Sequence, residues 1–426
     1  RYGFWRPVIA EAVEKFLTCG DLHEGFARIR CPNCHHEMFV AFSCRRRCLC
    51  PSCHQKRALM MAADIAEDLC EPVPHRQFVF TIPKRLRIFF RFDRRLLGQL
   101  PRLAWQAVLE VYRAVLDRDD VVPGMVAAIH TFGQLLHHHC HIHALVTDGC
   151  FTPDGTFIPL PRIEAAPFIE IWRRQVFALL LRHDKITEGL VGQMMQWRHH
   201  CGFGIDRSVV LAASDTKGLE RVARYMLRCP LGLARLVNVN EQGQVIYRAE
   251  RHHCHRFPEP GAQTLVAGVS RNFQVFEPLD FIAELTQHIP APGEHLSRRF
   301  GWYANRVRGE RAKNAANADA RHEACPIDDQ QTPDRRERRR RWAALIKRVY
   351  EVDPMVCPAC GHSMTVVSFI NPSQREVIRK ILTHCGLHER SCRAPPPSTS
   401  PLHEATYVSD LEFADAPPPE PVWSAD

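Results

Sequence analysis

His139-Cys140-His141-Ile142-His143-Ala144-Leu145-Val146 alternates in character from one residue to the next. In an extended strand successive side chains point to opposite faces, so His139, His141 and His143 share one face and Cys140, Ile142, Ala144 and Val146 the other. One face suits packing and the other chemistry. Two neutral imidazoles at i and i+2 stand at a spacing suited to gripping one cation, which directs attention to a third ligand. Upstream, Val126-Ala127-Ala128-Ile129-His130-Thr131-Phe132 reads as a second strand, and 133–138 is short enough to be a hairpin loop. Folding about that loop brings His130 opposite His141 and His143, and these three histidines are expected to hold a metal ion.

Around this hairpin, residues 74–210 read as an α+β domain. A strand over 77–82 is ended by Pro83, helical periodicity runs through 96–116, a short strand is expected at 157–160, a helix at 168–182 and a strand at 209–211. Helices separating non-adjacent strands, with one tight hairpin, predict an antiparallel sheet covered by helices. Next comes a helix over 219–228 that Ser214 or Asp215 is placed to cap and Pro230 to end. Leu219, Val222, Ala223 and Met226 form its buried stripe. At 100° per residue Arg221, Tyr225 and Arg228 fall within a narrow arc on another face, so the tyrosine is expected to stand between two guanidiniums. Arginine can neutralise a phosphate's oxygens while a phenolate attacks its phosphorus, and a divalent ion on the three histidines would polarise the same phosphate.

The eighteen cysteines cluster in C-x-x-C pairs within a large chain, which favours zinc over disulfides. Cys31-Pro32-Asn33-Cys34 and Cys50-Pro51-Ser52-Cys53 have the pattern of a zinc ribbon, because each turn presents two thiolates and two turns complete a tetrahedron. Cys44, Cys48, His35, His36 and His54 are spare ligands, so which four are used stays open and a second ion is possible. This unit, residues 1–70 with an initial helix at 5–17, also carries Arg45, Arg46, Arg47, Lys56 and Arg57, expected to contact DNA. Near the other end Cys357-Pro358-Ala359-Cys360 is half of a second zinc ribbon, with His384 and Cys385 as its expected partners.

A length of 426 residues, 45% of them hydrophobic, suits two or three globular domains. There is no run of eighteen apolar residues and no apolar signal-peptide core, so a soluble cytoplasmic, nucleoid-associated protein is expected, without a membrane partner. The chain begins at Arg1 without Met, and a start further upstream is expected. Net charge is +9, with 56 Lys and Arg against 47 Asp and Glu; the dense blocks at 45–47 and 335–341 suit a polyanion.

Beyond the tyrosine, a hairpin is expected from 236–239 and 245–248, and a helix at 279–288. The tract 252–255 reads as a polar loop. Phe300, Trp302 and Tyr303 among arginines suit base stacking or a basic helix capping the core. Residues 309–334 read as a linker, 335–392 as a basic helix at 342–349 with the second knuckle, and 393–426 as a disordered tail.

These features together resemble the rolling-circle transposases of insertion sequences, the tyrosine-nucleophile branch of the HUH nuclease superfamily. The likeness spans residues 5–387. It rests on the knuckle region 31–56, on 74–84, on Ala128-Ile129-His130-Thr131-Phe132-Gly133, on 139–149, on Ala223-Arg224-Tyr225-Met226-Leu227-Arg228, on Phe281-Ile282-Ala283 with Gln287-His288-Ile289-Pro290, on Gly301-Trp302-Tyr303 and on 342–361. The resemblance implies a palm-like HUH core within a catalytic domain at 74–308. It implies strand transfer on single-stranded DNA, with Tyr225 joined to a 5′-phosphate and a 3′-hydroxyl released. His141 and His143 match the HUH pair, His130 stands at the spacing of a third ligand, and His139 is left to support the site or face DNA. Magnesium or manganese is the ion implied, although imidazole's affinity for softer metals favours zinc or nickel in a purified sample. Two departures stand out. Cys140 replaces a proline common in relatives. The positions four residues from Tyr225 are Arg221 and Cys229, so there is no second tyrosine, and Cys229 replaces a common Asn or Pro. The alternative is a zinc-dependent DNA-binding protein, a decayed transposase that binds ends without cutting.

Overall fold

Alternating small, β-branched and histidine residues form a central hairpin, Gly124–Phe132 with His138–Thr147, in the computed structural model of this chain. The structure describes residues 5–197, 202–249, 255–256, 270–319 and 356–388. These residues fall into two compact units, one made of those between 61 and 319 and the other of 5–60 with 356–388.

In the first unit the hairpin is the middle of a six-stranded antiparallel sheet. Ser297–Gly301 flanks it on one side; His75–Thr81 flanks it on the other and pairs in turn with Gly204–Asp206 and Val210–Leu211. Cys140, Ile142, Ala144 and Val146 are fully buried under the helices Lys84–Phe92, Arg94–Leu97, Leu100–Leu116 and Ala166–Arg182. With Phe78, Phe80 and Trp172 also at 0% exposure, each large side chain here contributes about 1.5–3 kcal/mol of transfer free energy. That is enough to offset burying neutral imidazoles on the opposite face, where an unsatisfied polar group costs roughly 1–3 kcal/mol. The opposite face, with Val126, Ala128 and Leu145, is covered by the helix Thr216–Met226 and the helical segment Asp64–Leu69.

The expected hairpin Leu236–Val239 with Val245–Arg248 is present, and Phe273–Phe276 adds a third strand. Leu135 and Leu136 from the central hairpin loop pack with Tyr247 and Phe276. His288, just past the helix Pro278–Thr286, fixes that loop: its Nε2 donates to the Leu136 carbonyl at 2.8 Å, and its Nδ1 accepts from the Thr131 hydroxyl at 2.9 Å.

The expectation for 300–306 is corrected. Gly301 has φ 57°, and a Cβ there would meet the Pro123 carbonyl oxygen at 2.1 Å, so the chain turns back over the sheet. Phe300 stacks on Trp105, Trp302 stacks on Phe151 with centroids 4.4 Å apart, and Tyr303 is fully buried with its hydroxyl 2.8 Å from His75 Nε2. These rings fill the core and are not presented to bases. The helix Asn305–Asp319 occupies the start of the expected linker; 320–334 lie outside the described residues, as do 250–254, the helix at 342–349 and the tail at 393–426.

In the second unit Phe26–Arg30 is the central strand of three, flanked by Glu37–Ala41 and by Thr365–Ile370, the latter pairing Phe26 with Ile370. Ile378 and Leu382 of the helix Arg375–His384 pack on Phe26. Separate modules at 1–70 and 335–392 are therefore not what is found. Each is too small to close its own core, and the C-terminal strand completes the N-terminal sheet. No helix among the described residues is long and apolar enough to cross a membrane.

Candidate active site and cysteine clusters

Cross-strand register places His130 opposite His141, and Ala128 opposite His143. One nitrogen from each of His130, His141 and His143 lies within 4.8 Å of the others, and all three rings are buried. His141 Nε2 and His143 Nε2 are 3.0 Å apart. Two nitrogens on adjacent octahedral positions at about 2.1 Å from an ion would stand roughly 3 Å apart, so the spacing fits one cation. The other ring nitrogens orient the lone pairs, the usual duty of groups behind metal ligands. His130 Nε2 donates to the Met226 carbonyl at 2.7 Å, which leaves Nδ1 with the lone pair. His141 Nδ1 donates to the His139 carbonyl at 2.9 Å, which leaves Nε2. Gln77 Nε2 lies 3.3 Å from His143 Nδ1; with the amide turned over, its oxygen would accept the Nδ1 proton and leave Nε2 for an ion. Burial, reinforced by the neighbouring imidazoles, holds His141 well below the usual histidine range, so it stays a neutral ligand. His139 is buried with its ring 4.7 Å from His141; its backbone carbonyl is the part that serves the site.

Asp215 caps the helix Thr216–Met226 through its carboxylate, which accepts from Gly218 N at 2.8 Å. Leu219, Val222, Ala223 and Met226 are buried as the stripe required. Tyr225 is half-buried, its ring edge-on to His143 at 5.3 Å and 6.4 Å from His130. Of the two expected flanking guanidiniums, Arg228 lies 4.4 Å over the Tyr225 ring, and Arg221 is exposed one turn earlier on the same helix. Because the Met226 carbonyl is itself the acceptor for His130, the nucleophile candidate and a ligand candidate are fastened within one residue of each other.

The cysteines do not assemble as Cys31, Cys34, Cys50 and Cys53. Two separate sets form: Cys19, Cys44, Cys50 and Cys53, and Cys31, Cys34, Cys357 and Cys360. Sulfur separations are 3.6 Å for Cys19–Cys53 and for Cys44–Cys53, 3.9 Å for Cys19–Cys50, 3.5 Å for Cys31–Cys360 and 3.4 Å for Cys34–Cys357. A tetrahedron with Zn–S of about 2.3 Å has edges of roughly 3.8 Å, so both sets fit zinc. Of the spare ligands only Cys44 joins a set; the Cys48 backbone N–H instead donates to His54 Nδ1 at 2.8 Å. Cys19, which has no C-x-x-C partner, carries no local signal, and neither His384 nor Cys385 joins the second set. Of the basic residues, Arg45 and Arg57 are exposed, Arg47 and Lys56 are half-buried, and Arg46 is held by Glu11 at 2.8 Å.

Residues 3–82 match the family model described as a transposase zinc-binding domain, and 124–311 the one described as a putative transposase. The chain is 25% identical over 387 residues to the transposase for insertion sequence element IS801 of Pseudomonas savastanoi pv. phaseolicola, covering 87% of this chain and 86% of the relative. It is 26% identical over 357 residues to the putative transposase y4qJ of Sinorhizobium fredii (strain NBRC 101917 / NGR234), covering 80% and 84%. No solved structure matches.

Proposed function

Because the chain belongs to the insertion-sequence transposases with an N-terminal zinc-binding domain, we propose that it nicks and joins single-stranded DNA at element ends in rolling-circle transposition, with Tyr225 as nucleophile. The reading rests on one observation: three buried imidazoles bring one nitrogen each to within 4.8 Å of the others, beside the Tyr225 ring. The six-stranded sheet is read as the palm-like HUH core. His130, His141 and His143 would hold magnesium or manganese, which when bound polarises the scissile phosphate. Tyr225 Oη attacks the phosphorus, a Tyr–O–P bond forms, and the bond to the 3′-oxygen breaks. The phenolic proton passes to solvent, and the departing 3′-oxygen leaves as a hydroxyl. Arg228, stacked on the phenol, places positive charge where phosphate oxygens must sit, and Arg221 meets the strand from the exposed side. With one tyrosine, the link is resolved when an incoming 3′-hydroxyl attacks the phosphotyrosine and expels Tyr225. Cys140, fully buried in the apolar layer, leaves the histidine face unaltered. The two cysteine sets would each hold one structural zinc ion, and Arg45, Arg47, Lys56 and Arg57 would contact DNA.

Incubation with an end-derived single-stranded oligonucleotide and Mn²⁺ is expected to give a covalent adduct that Tyr225→Phe abolishes. His141→Ala is expected to lose cleavage while keeping most DNA binding. An adduct from Tyr225→Phe would remove the nucleophile assignment. Binding without any adduct from the unaltered protein would make the chain a DNA-binding relative that does not cut.

A further inference from the structure

The helix Lys84–Phe92 follows the strand His75–Thr81 after two residues, and the last residue of that strand, Thr81, is paired with His141. Its start is thus set at the metal end of the sheet. Leu86 and Phe90 are buried, and they anchor one face. Arg87 Nε donates to the Ile82 carbonyl at 2.9 Å and Arg94 pairs with Glu294 at 2.7 Å, so two of the local cations are structural. The opposite face is another matter. Lys84, Arg85, Ile88, Arg91 and Phe92 recur at helical spacing on one side, Arg95 lies in the next short helix after the extended Asp93, and all six are exposed. Phe92 is 77% and Ile88 52% exposed, so most of each apolar side chain meets water. The four cations make no ion pair among the described residues, and the Arg91 guanidinium lies 5.8 Å from the Phe92 ring centre. Cations interleaved with an exposed ring are what an unpaired strand needs: phosphates meet the charges and a free base stacks on the ring.

We infer that this face is a track for single-stranded DNA flanking the nick, holding backbone by Lys84, Arg85, Arg91 and Arg95 and one base on Phe92. The inference rests on the single-strand reading above, and it adds a route by which the strand reaches the histidine end of the sheet. A duplex has no free base face for Phe92, so the track selects unpaired DNA.

The test uses the full chain carrying Tyr225→Phe, so that binding is measured whatever the outcome at the nucleophile. Affinity for a single-stranded oligonucleotide is followed by fluorescence anisotropy at several salt concentrations. Phe92→Ala and Phe92→Leu are each expected to weaken binding at least about fivefold, whereas Phe92→Trp keeps it. Arg85→Gln with Arg91→Gln is expected to flatten the slope of log affinity against log salt by roughly 1.4, about 0.7 for each phosphate that is no longer neutralised. Binding of Phe92→Leu equal to that of the parent, an unchanged slope in the arginine variant, or a duplex bound as tightly as the single strand would each overturn the inference. A missing covalent adduct in the unaltered protein would count against Tyr225 and leave these comparisons intact.

Discussion

Gln77 is the residue through which the strand His75–Thr81 acts on the candidate metal site. It is buried, and its amide is the partner of His143 Nδ1 at 3.3 Å. A ligand histidine whose far nitrogen loses its partner can rotate or take the wrong tautomer, and removal of such a group typically weakens metal binding 10–100-fold. Gln77→Leu is therefore expected to lower Mn²⁺ affinity by about that factor in calorimetry, while Gln77→Glu, a stronger acceptor for the Nδ1 proton, keeps or tightens it. Equal affinity in the leucine variant would mean that His143 is oriented by its strand alone. The alternation of 139–146 and the spacing of His130 were enough to foresee which three rings converge, because strand geometry fixes side-chain direction locally. The groups behind the rings were not legible. Gln77 comes from a strand some sixty residues earlier, and the acceptors for His130 and His141 are backbone carbonyls, which any residue supplies.

The helix Thr216–Met226 shows the same division at the level of an element. Its stripe and its cap candidates could be read in advance, whereas the seat of Arg228 depends on Phe132, a residue of the sheet below it, 5.5 Å from the Arg228 guanidinium. Gly301 misled for a related reason: its positive φ sends Trp302 and Tyr303 inward, and aromatic residues among arginines look the same locally whichever way the chain turns. The cap of the tyrosine helix is both structural and functional. Asp215 holds Gly218 N at 2.8 Å, and a Cβ on Gly218 would meet that carboxylate at 2.0 Å, so cap and glycine are matched. Asp215→Ala should cost about 1 kcal/mol of stability in chemical denaturation, with Asp215→Asn costing little. Fraying at that end propagates toward Tyr225, so the alanine variant is also expected to form adduct more slowly at unchanged Mn²⁺ affinity. A lower affinity instead would mean that the helix holds the histidines as well as the nucleophile.

The second unit joins segments that the sequence separates by more than three hundred residues. In residues 356–388 the buried side chains include Met364, Ile370, Ile378 and Leu382, while Val366, Val367 and Phe369 stay exposed. So small a buried set leaves the segment dependent on strand pairing with Phe26–Arg30 and on a metal clasp at Cys357 and Cys360. Two knuckles sixteen residues apart invite a local pairing, yet Cys31 and Cys34 find their partners at Cys357 and Cys360, a choice that spacing along the chain cannot reveal. With the histidine site disabled by His141→Ala, the purified protein is accordingly expected to hold two zinc ions, measured by plasma mass spectrometry, and the same protein carrying Cys357→Ser or Cys50→Ser to hold one. Proteolysis of Cys357→Ser should start within 356–388, because the strand Thr365–Ile370 loses the clasp that keeps it on the sheet. If a chain ended after residue 325 kept a zinc ion that Cys31→Ser and Cys50→Ser each remove, the ligands would be the two N-terminal knuckles together, and the C-terminal strand would dock without metal.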